Sequence, residues 1–277
     1  MAHWKLTLSY DGSHFHGWQV QPGGLQTVQS AFSEALKQVT GEILLPQGSG
    51  RTDAGVHALG QVISFDLSVP VPAGNLRRAL NRVLPQSIRV LTAEQAPPSF
   101  HARHSARGKT YEYRLFERRV RSAPGLPADE LICSPFLAPY VWDCRWPLDF
   151  DAMQLSAAAV IGTHDFTSFA ASDPDKSARE EDEEGNARGA QVNPVKTINH
   201  SLWSREDGLL IYRVHGSGFL HHMVRNLVGT FVDVGRGALQ AEDLPGILTA
   251  RNRCAAGPTA PARGLFLKQV DYEEANA

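Results

Sequence analysis

Gly50-Arg51-Thr52-Asp53-Ala54-Gly55-Val56-His57-Ala58-Leu59-Gly60 sets one carboxylate, Asp53, between an arginine and a glycine turn. Before it, Ile43-Leu44-Leu45 reads as a short buried strand. After it, Gln61-Val62-Ile63-Ser64-Phe65-Asp66 alternates polar and apolar residues as a half-exposed strand does. The stretch is therefore expected to form a loop between two strands, where side chains meet a ligand without their backbone having to be buried. Two readings of Asp53 stand open here. Gly, Thr and Asp are ordinary turn residues, so the carboxylate can serve its own loop; or it is a catalytic group presented by the sheet.

Working outward, Lys5-Leu6-Thr7-Leu8-Ser9-Tyr10 alternates as a strand that ends at Asp11-Gly12-Ser13. Val28, Phe32, Ala35, Leu36 and Val39 fall at helical spacing, with Thr27 as N-cap and Gly41 closing the helix. A second helix is predicted over Asn75 to Leu84, stopped by Pro85, and a strand over Ile88 to Leu91. From Thr110 the pattern partly restarts. Strands are expected at Tyr111 to Leu115, Leu202-Trp203, Leu209 to Tyr212 and Gly264 to Leu267, and helices over Phe150 to Ile161, from Phe219 to Val234 and after Ala241. The fold class is α+β: two halves of similar make-up with antiparallel sheets. Ala96-Pro97-Pro98 marks the boundary, giving halves over 1–104 and 105–277.

The 277 residues are 42% hydrophobic and 20% charged, ordinary globular values. With no membrane-length apolar run and no apolar leader after Met1, a cytoplasmic location is expected. Cys133, Cys144 and Cys254 have no Cys-x-x-Cys spacing and fit reduced thiols, not a disulfide framework or a zinc site. The net charge of -2 hides an uneven distribution. Residues 173–184 hold seven acids and two bases, so that without them 27 bases against 29 acids becomes 25 against 22. Residues 101–121 hold seven bases (Arg103, Arg107, Lys109, Arg114, Arg118, Arg119, Arg121) against Glu112 and Glu117. Such a stripe either meets phosphates or is simply solvated.

In the helix expected from Phe219, Leu220, Val224, Leu227, Val228 and Phe231 make an apolar stripe, while His221, His222, Arg225 and Asn226 project elsewhere. A metal set of His215, His221 and His222 fails on spacing, because neighbours on a helix point about 100° apart and no carboxylate completes it. Gly48-Ser49-Gly50 lacks the Gly-Lys-Ser/Thr and helix of a phosphate loop.

Five stretches, in order, carry a resemblance. They are Gly50 to Ala58, Lys109-Thr110-Tyr111-Glu112-Tyr113, Gly162-Thr163-His164-Asp165-Phe166, Phe219-Leu220-His221-His222-Met223-Val224-Arg225-Asn226 and Gly257-Pro258-Thr259-Ala260-Pro261-Ala262-Arg263-Gly264-Leu265. Together with Tyr10-Asp11-Gly12, the chain resembles the TruA family of tRNA pseudouridine synthases. The resemblance implies two ferredoxin-like or RRM-like halves with the active site in a central cleft between them. It implies isomerisation of uridine to pseudouridine at positions 38, 39 and 40 of the tRNA anticodon arm, on a flipped-out nucleotide.

Asp53 matches the family's catalytic aspartate, whether it attacks ribose or base or works through a glycal. Tyr111 matches the tyrosine that stacks on the target uracil and helps with the C5 proton, although Tyr113 shares its face. Arg225 matches the arginine that pairs with the aspartate and keeps it ionised. Arg51 resembles the residue that reaches to the tRNA and fills the space left by the flipped base. No metal and no organic cofactor are implied, and a homodimer is. The competing reading is a tRNA-binding or folding module without turnover, but binding alone needs no carboxylate beside an anionic ligand. The segment 172–192 is longer and more acidic than the family's and is expected to be a mobile insertion that points away from the tRNA or moves aside, so that its deletion leaves activity intact.

Overall fold

The computed structural model describes residues 1–120, 129–171 and 193–273; Arg121 and the acidic segment 172–192 lie outside them. The chain divides into two compact units. One comprises Met1–Leu115, Ser134–Trp142 and Pro261–Ala277, the other Phe116–Cys133 and Asp143–Ala260. The make-up is mixed α+β and mostly antiparallel, as the sequence led one to expect.

In chain order the elements are β1 (Ala2–Tyr10), α1 (Val28–Thr40), β2 (Gln47–Gly48), β3 (His57–Leu67), α2 (Ala73–Val83), β4 (Ile88–Gln95), β5 (Ala106–Glu117), β6 (Arg119–Val120), β7 (Asp129–Glu130), β8 (Trp142–Cys144), α3 (Phe150–Ala158), β9 (Gly162–Asp165), β10 (Val195–Glu206), β11 (Leu209–Gly216), α4 (Met223–Gly235), α5 (Leu244–Ala250) and β12 (Leu265–Tyr272).

The sheet of the first unit runs β4-β1-β3-β12-β5, with β2 on β3. β1 buries Trp4, Leu6, Leu8 and Tyr10, its alternate residues, and pairs with β3 through Leu6 opposite Ile63 and Leu8 opposite Gln61. α1 begins with a capping box, Thr27 and Ser30 each accepting from the other's amide, and ends at Gly41 in the left-handed region (φ 78°). It lays Val28, Phe32, Ala35 and Leu36 on the core, with Phe32 packed near Phe65 of β3 (ring centroids 6.5 Å). β12 lies parallel to β3, Phe266 opposite His57, and antiparallel to β5, Leu267 opposite Tyr111. In the second unit β10 pairs antiparallel with both β11 and β9, and α3 packs on β10 and α4.

Four expectations need correction. Ile43-Leu44-Leu45 is not a strand; Ile43 and Leu45 are exposed, and β2 alone pairs there, with Ser64 and Ile63. Pro46, which has no N–H for a ladder, follows the run directly. β3 is not half-exposed, because both its faces are covered and its polar Gln61 and Ser64 are buried with partners. Finally, α4 starts at Met223, not Phe219. His221 and His222 precede it with rings 3.9 Å apart, His222 in the left-handed region (φ 59°), so helical spacing does not govern that pair. Asn226 is fully buried, because residues 253–260 cover the helix face it was expected to expose.

Candidate active site

Asp53 is half-buried on the loop between β2 and β3, with Arg51 exposed before it and Thr52 buried. Three carbonyls of this loop each accept a hydrogen bond from a different element. The Lys109 ammonium on β5 donates to Ser49 O (2.6 Å), the Gln61 amide on β3 to Gly50 O (2.8 Å) and the Trp18 amide to Thr52 O (2.9 Å). The Thr52 hydroxyl is paired with the buried Tyr10 hydroxyl at 2.8 Å. The loop exit is a tight turn in which Val56 N–H returns to Asp53 O (3.1 Å) and Gly55 takes φ 76°. A side chain at Gly55 would strain that turn. Gly12 meets the same exit from the other side: a Cβ there would lie 2.0 Å from Val56 O, so only glycine fits.

The segment that holds Thr52 also starts α1. Val28 N–H donates to Gly17 O (3.1 Å) and Gln29 N–H to Trp18 O (3.0 Å). The Asp53 loop is thus braced by β1, β3, β5 and the entry to α1. Such bracing holds a reactive side chain to a narrow geometry before substrate arrives.

Tyr111 lies on β5, nearly buried. Burial pushes its phenol up, and the neighbouring Tyr10 and the Asp53 carboxylate push it further. The structure thus brings Asp53 and Tyr111 together electrostatically within the first unit. Tyr113, which shares the strand face, is a core residue whose hydroxyl donates to Pro261 O (2.8 Å). Arg225 belongs to the second unit. It is half-buried in the first turn of α4, and its Nε donates to Ala260 O (2.8 Å).

That turn is strapped down. Arg253 donates to Gly257 O (2.8 Å) and to Asn226 Oδ1 (3.0 Å), Thr259 donates to the same Oδ1 (2.7 Å), and the Asn226 amide donates to Phe169 O (2.7 Å).

The basic stripe is largely satisfied within each unit. Arg114 meets the buried Glu112 (3.0 Å), which Lys268 from outside the stripe also meets (2.8 Å), Arg107 meets Glu273, Arg118 meets Asp143 (2.5 Å) and Arg119 meets Glu130 (3.8 Å). Its charge count therefore overstates what it offers to phosphates.

Several site residues went unassigned in the sequence: Gln61, Lys109, His57 and Asp11, with Tyr140 and Arg263. His57 and Asp11 sit inside the quoted motifs, and that was their only signal. Tyr140, whose hydroxyl donates to Asp11 Oδ2 (2.9 Å), had none.

In this α+β fold a half-buried carboxylate thus stands on a braced loop beside a buried tyrosine. A sequence profile of the family described as tRNA pseudouridine synthase matches residues 7–105 and 156–273. A protein of Solibacter usitatus (strain Ellin6076) named tRNA pseudouridine synthase A is 48% identical over 268 residues, 97% of this chain and 98% of that one. Proteins of the same name from Moorella thermoacetica (43% identical over 270 residues, 97% and 98% covered) and Lacticaseibacillus casei (40% over 276 residues, 98% and 100% covered) are similar throughout. The chain belongs to the tRNA pseudouridine synthase family. It is an isomerase that converts uridine to pseudouridine in tRNA. Among the described residues no helix is long and apolar enough to cross a membrane, and the three cysteines form no disulfide.

Proposed function

We propose that the chain modifies uridines 38, 39 and 40 of the tRNA anticodon arm with Asp53 as nucleophile, acting as a cytoplasmic homodimer without metal or organic cofactor. The observation that carries the site assignment is the Asp53 loop itself: a half-buried carboxylate whose flanking carbonyls are tied to Lys109, Gln61 and Trp18. The ordered motifs support the choice of anticodon arm and dimer. In the reaction the C1'–N1 bond breaks, the uracil turns within the pocket, C5 bonds to C1', and the proton leaving C5 is balanced by one gained at N1. Attack by the carboxylate at ribose or base, or a glycal route, each satisfies that balance.

Tyr111 stacks on the uracil. Its raised phenol stays protonated at neutral pH, so it serves as a hydrogen-bond donor more readily than as a phenolate base. Arg225 pairs with Asp53; the bond from its Nε to Ala260 O fixes the orientation of the guanidinium. Arg51, exposed beside the loop, reaches the tRNA and takes the place of the flipped base.

The test is pseudouridine formation in unmodified transcripts carrying uridine singly at 38, 39 or 40, with wild type and Asp53→Asn. Turnover by wild type, with none by the variant but tRNA binding retained, is expected. Turnover by Asp53→Asn removes the nucleophile assignment, and turnover confined to uridines outside the arm removes the specificity.

A further inference from the structure

His57 opens β3, four residues after Asp53, and only 1% of it is exposed. The Gly12 amide points at its Nδ1 (3.1 Å), and its Nε2 lies 3.1 Å from the Arg263 carbonyl. A backbone N–H can only donate, so Nδ1 carries a lone pair, and Nε2 carries the proton that Arg263 O accepts. The ring is therefore neutral. It stacks on Phe266 of β12 (4.6 Å between centroids, 21° between planes), with the Tyr140 ring 5.3 Å away.

Three titratable or charged groups face it. Asp11 Oδ1 stands 3.2 Å from Nδ1; Tyr140 donates to the other Asp11 oxygen; and Arg114, on β5, lies over Phe266 at 4.0 Å. Asp11 has partners besides the ring, since Ser13 N–H donates to its Oδ1 (2.9 Å) and Tyr140 O–H to its Oδ2 (2.9 Å). Burial draws His57 below the usual imidazole range against the pull of Asp11, with Arg114 adding to the lowering.

We propose that His57 is a positioning residue for the tRNA reaction: the neutral ring ties the Gly12 turn to the Arg263 segment and so holds the exit of the Asp53 loop between them. This rests on Asp53 as the nucleophile. Gly12 is the residue that abuts Val56 O at that exit, and Ser13, Gly55, Pro139 and Pro261-Ala262-Arg263 wall an open hollow of about 390 Å³ beside it. Movement of either tied segment changes both the loop and the surface next to it. Protonation would place an N–H at Nδ1, facing the Gly12 N–H and drawn to Asp11. The ring can hold Gly12 or Asp11, not both. Acid therefore releases the Gly12 turn.

The experiment is single-turnover pseudouridine formation against pH for wild type, His57→Asn and His57→Gln, with tRNA affinity and thermal melting measured on each, and Asp53→Asn run alongside. Asn keeps an acceptor near the Nδ1 position, and Gln keeps an amide that reaches toward Arg263 O. Loss of one tie in either variant is expected to slow turnover about tenfold or more, as loss of a supporting partner does elsewhere, with tRNA affinity within about twofold. The wild-type rate is expected to fall in acid, at a pH below the range where a free imidazole titrates, and His57→Asn, which cannot titrate there, lacks that fall. Rates within about twofold of wild type, or affinity falling in step with rate, would overturn the proposal. So would a wild-type rate that falls as pH rises from 6 to 8 while His57→Asn stays flat, since that describes a charged ring paired with Asp11. Should both variants melt uncooperatively, the wild-type profile alone decides by its direction. Turnover by Asp53→Asn defeats the nucleophile assignment, independently of the His57 arms.

Discussion

Gln61 shows how much of a reactive residue's geometry belongs to its neighbours. Its amide donates to Gly50 O (2.8 Å) while its buried Oε1 accepts from the Ser49 hydroxyl (2.6 Å). Gln61→Leu preserves volume but takes the donor from Gly50 O and the acceptor from the buried Ser49 hydroxyl, at a cost of about 1–3 kcal/mol. A lowered melting temperature with turnover reduced further than affinity is the expected result, and an unchanged melt would mean water replaces the amide. Tyr111 makes a second prediction. Tyr111→Phe keeps the stacking ring and removes the hydroxyl, so tRNA affinity should hold while turnover drops by about 10²-fold. In the wild type the phenol is held above its ordinary value by burial, by Tyr10 and by Asp53, so raising the pH to about 10, where a free tyrosine is half ionised, should leave it protonated. A rate profile that falls with an apparent value of about 9 and is abolished in Tyr111→Phe would contradict that. Both effects hang on side chains whose types were readable but whose partners were not: those of Gln61 lie across the loop at Ser49 and Gly50, and those of Tyr111 far back along the chain at Tyr10 and Asp53.

Among the elements, those with local signals were legible. α1 has its cap at Thr27 and its stop at Gly41; α2 ends before Pro85; β1 alternates. α4 was misread at its start, because Phe219 and Leu220 continue the apolar pattern into a segment that the left-handed His222 separates from the helix. It was misread at Asn226 as well: a polar residue off the apolar stripe is normally solvated, yet here Arg253, Thr259 and Phe169 O meet it in the interior. Asn226→Ala should therefore destabilise by about 2–3 kcal/mol, through the partners it abandons. It should also loosen the Ala260 turn against which Arg225 is fixed, lowering turnover even at temperatures where the variant is fully folded. Calorimetry and single-turnover rates on the same preparation check both parts.

For the whole molecule, the decisive placement is that of β12. The sequence marks a strand near Leu265, but nothing in it says that this strand lies between β3 and β5, supplying partners to both His57 and Tyr111. Ending the chain after Gly264 should remove that ladder and, with it, the cooperative unfolding of the first unit, seen as loss of a sigmoidal circular-dichroism melt. A truncated chain that still melts sharply would refute the role given to β12. Alternation and caps were enough by themselves to determine an α+β chain and the loop that carries Asp53, because each is encoded by residues adjacent or one turn apart, and the five ordered motifs carried the resemblance to the tRNA pseudouridine synthases. The tertiary structure alone decided which carbonyls brace that loop, that Glu112, Asp143, Glu130 and Glu273 pair with four arginines of the basic stripe, and that the His57 ring lies between the Gly12 amide and the Arg263 carbonyl. Those facts depend on hydrogen bonds between residues up to 206 positions apart. Contacts of that span exist only after the sheet has formed, and no local pattern records them.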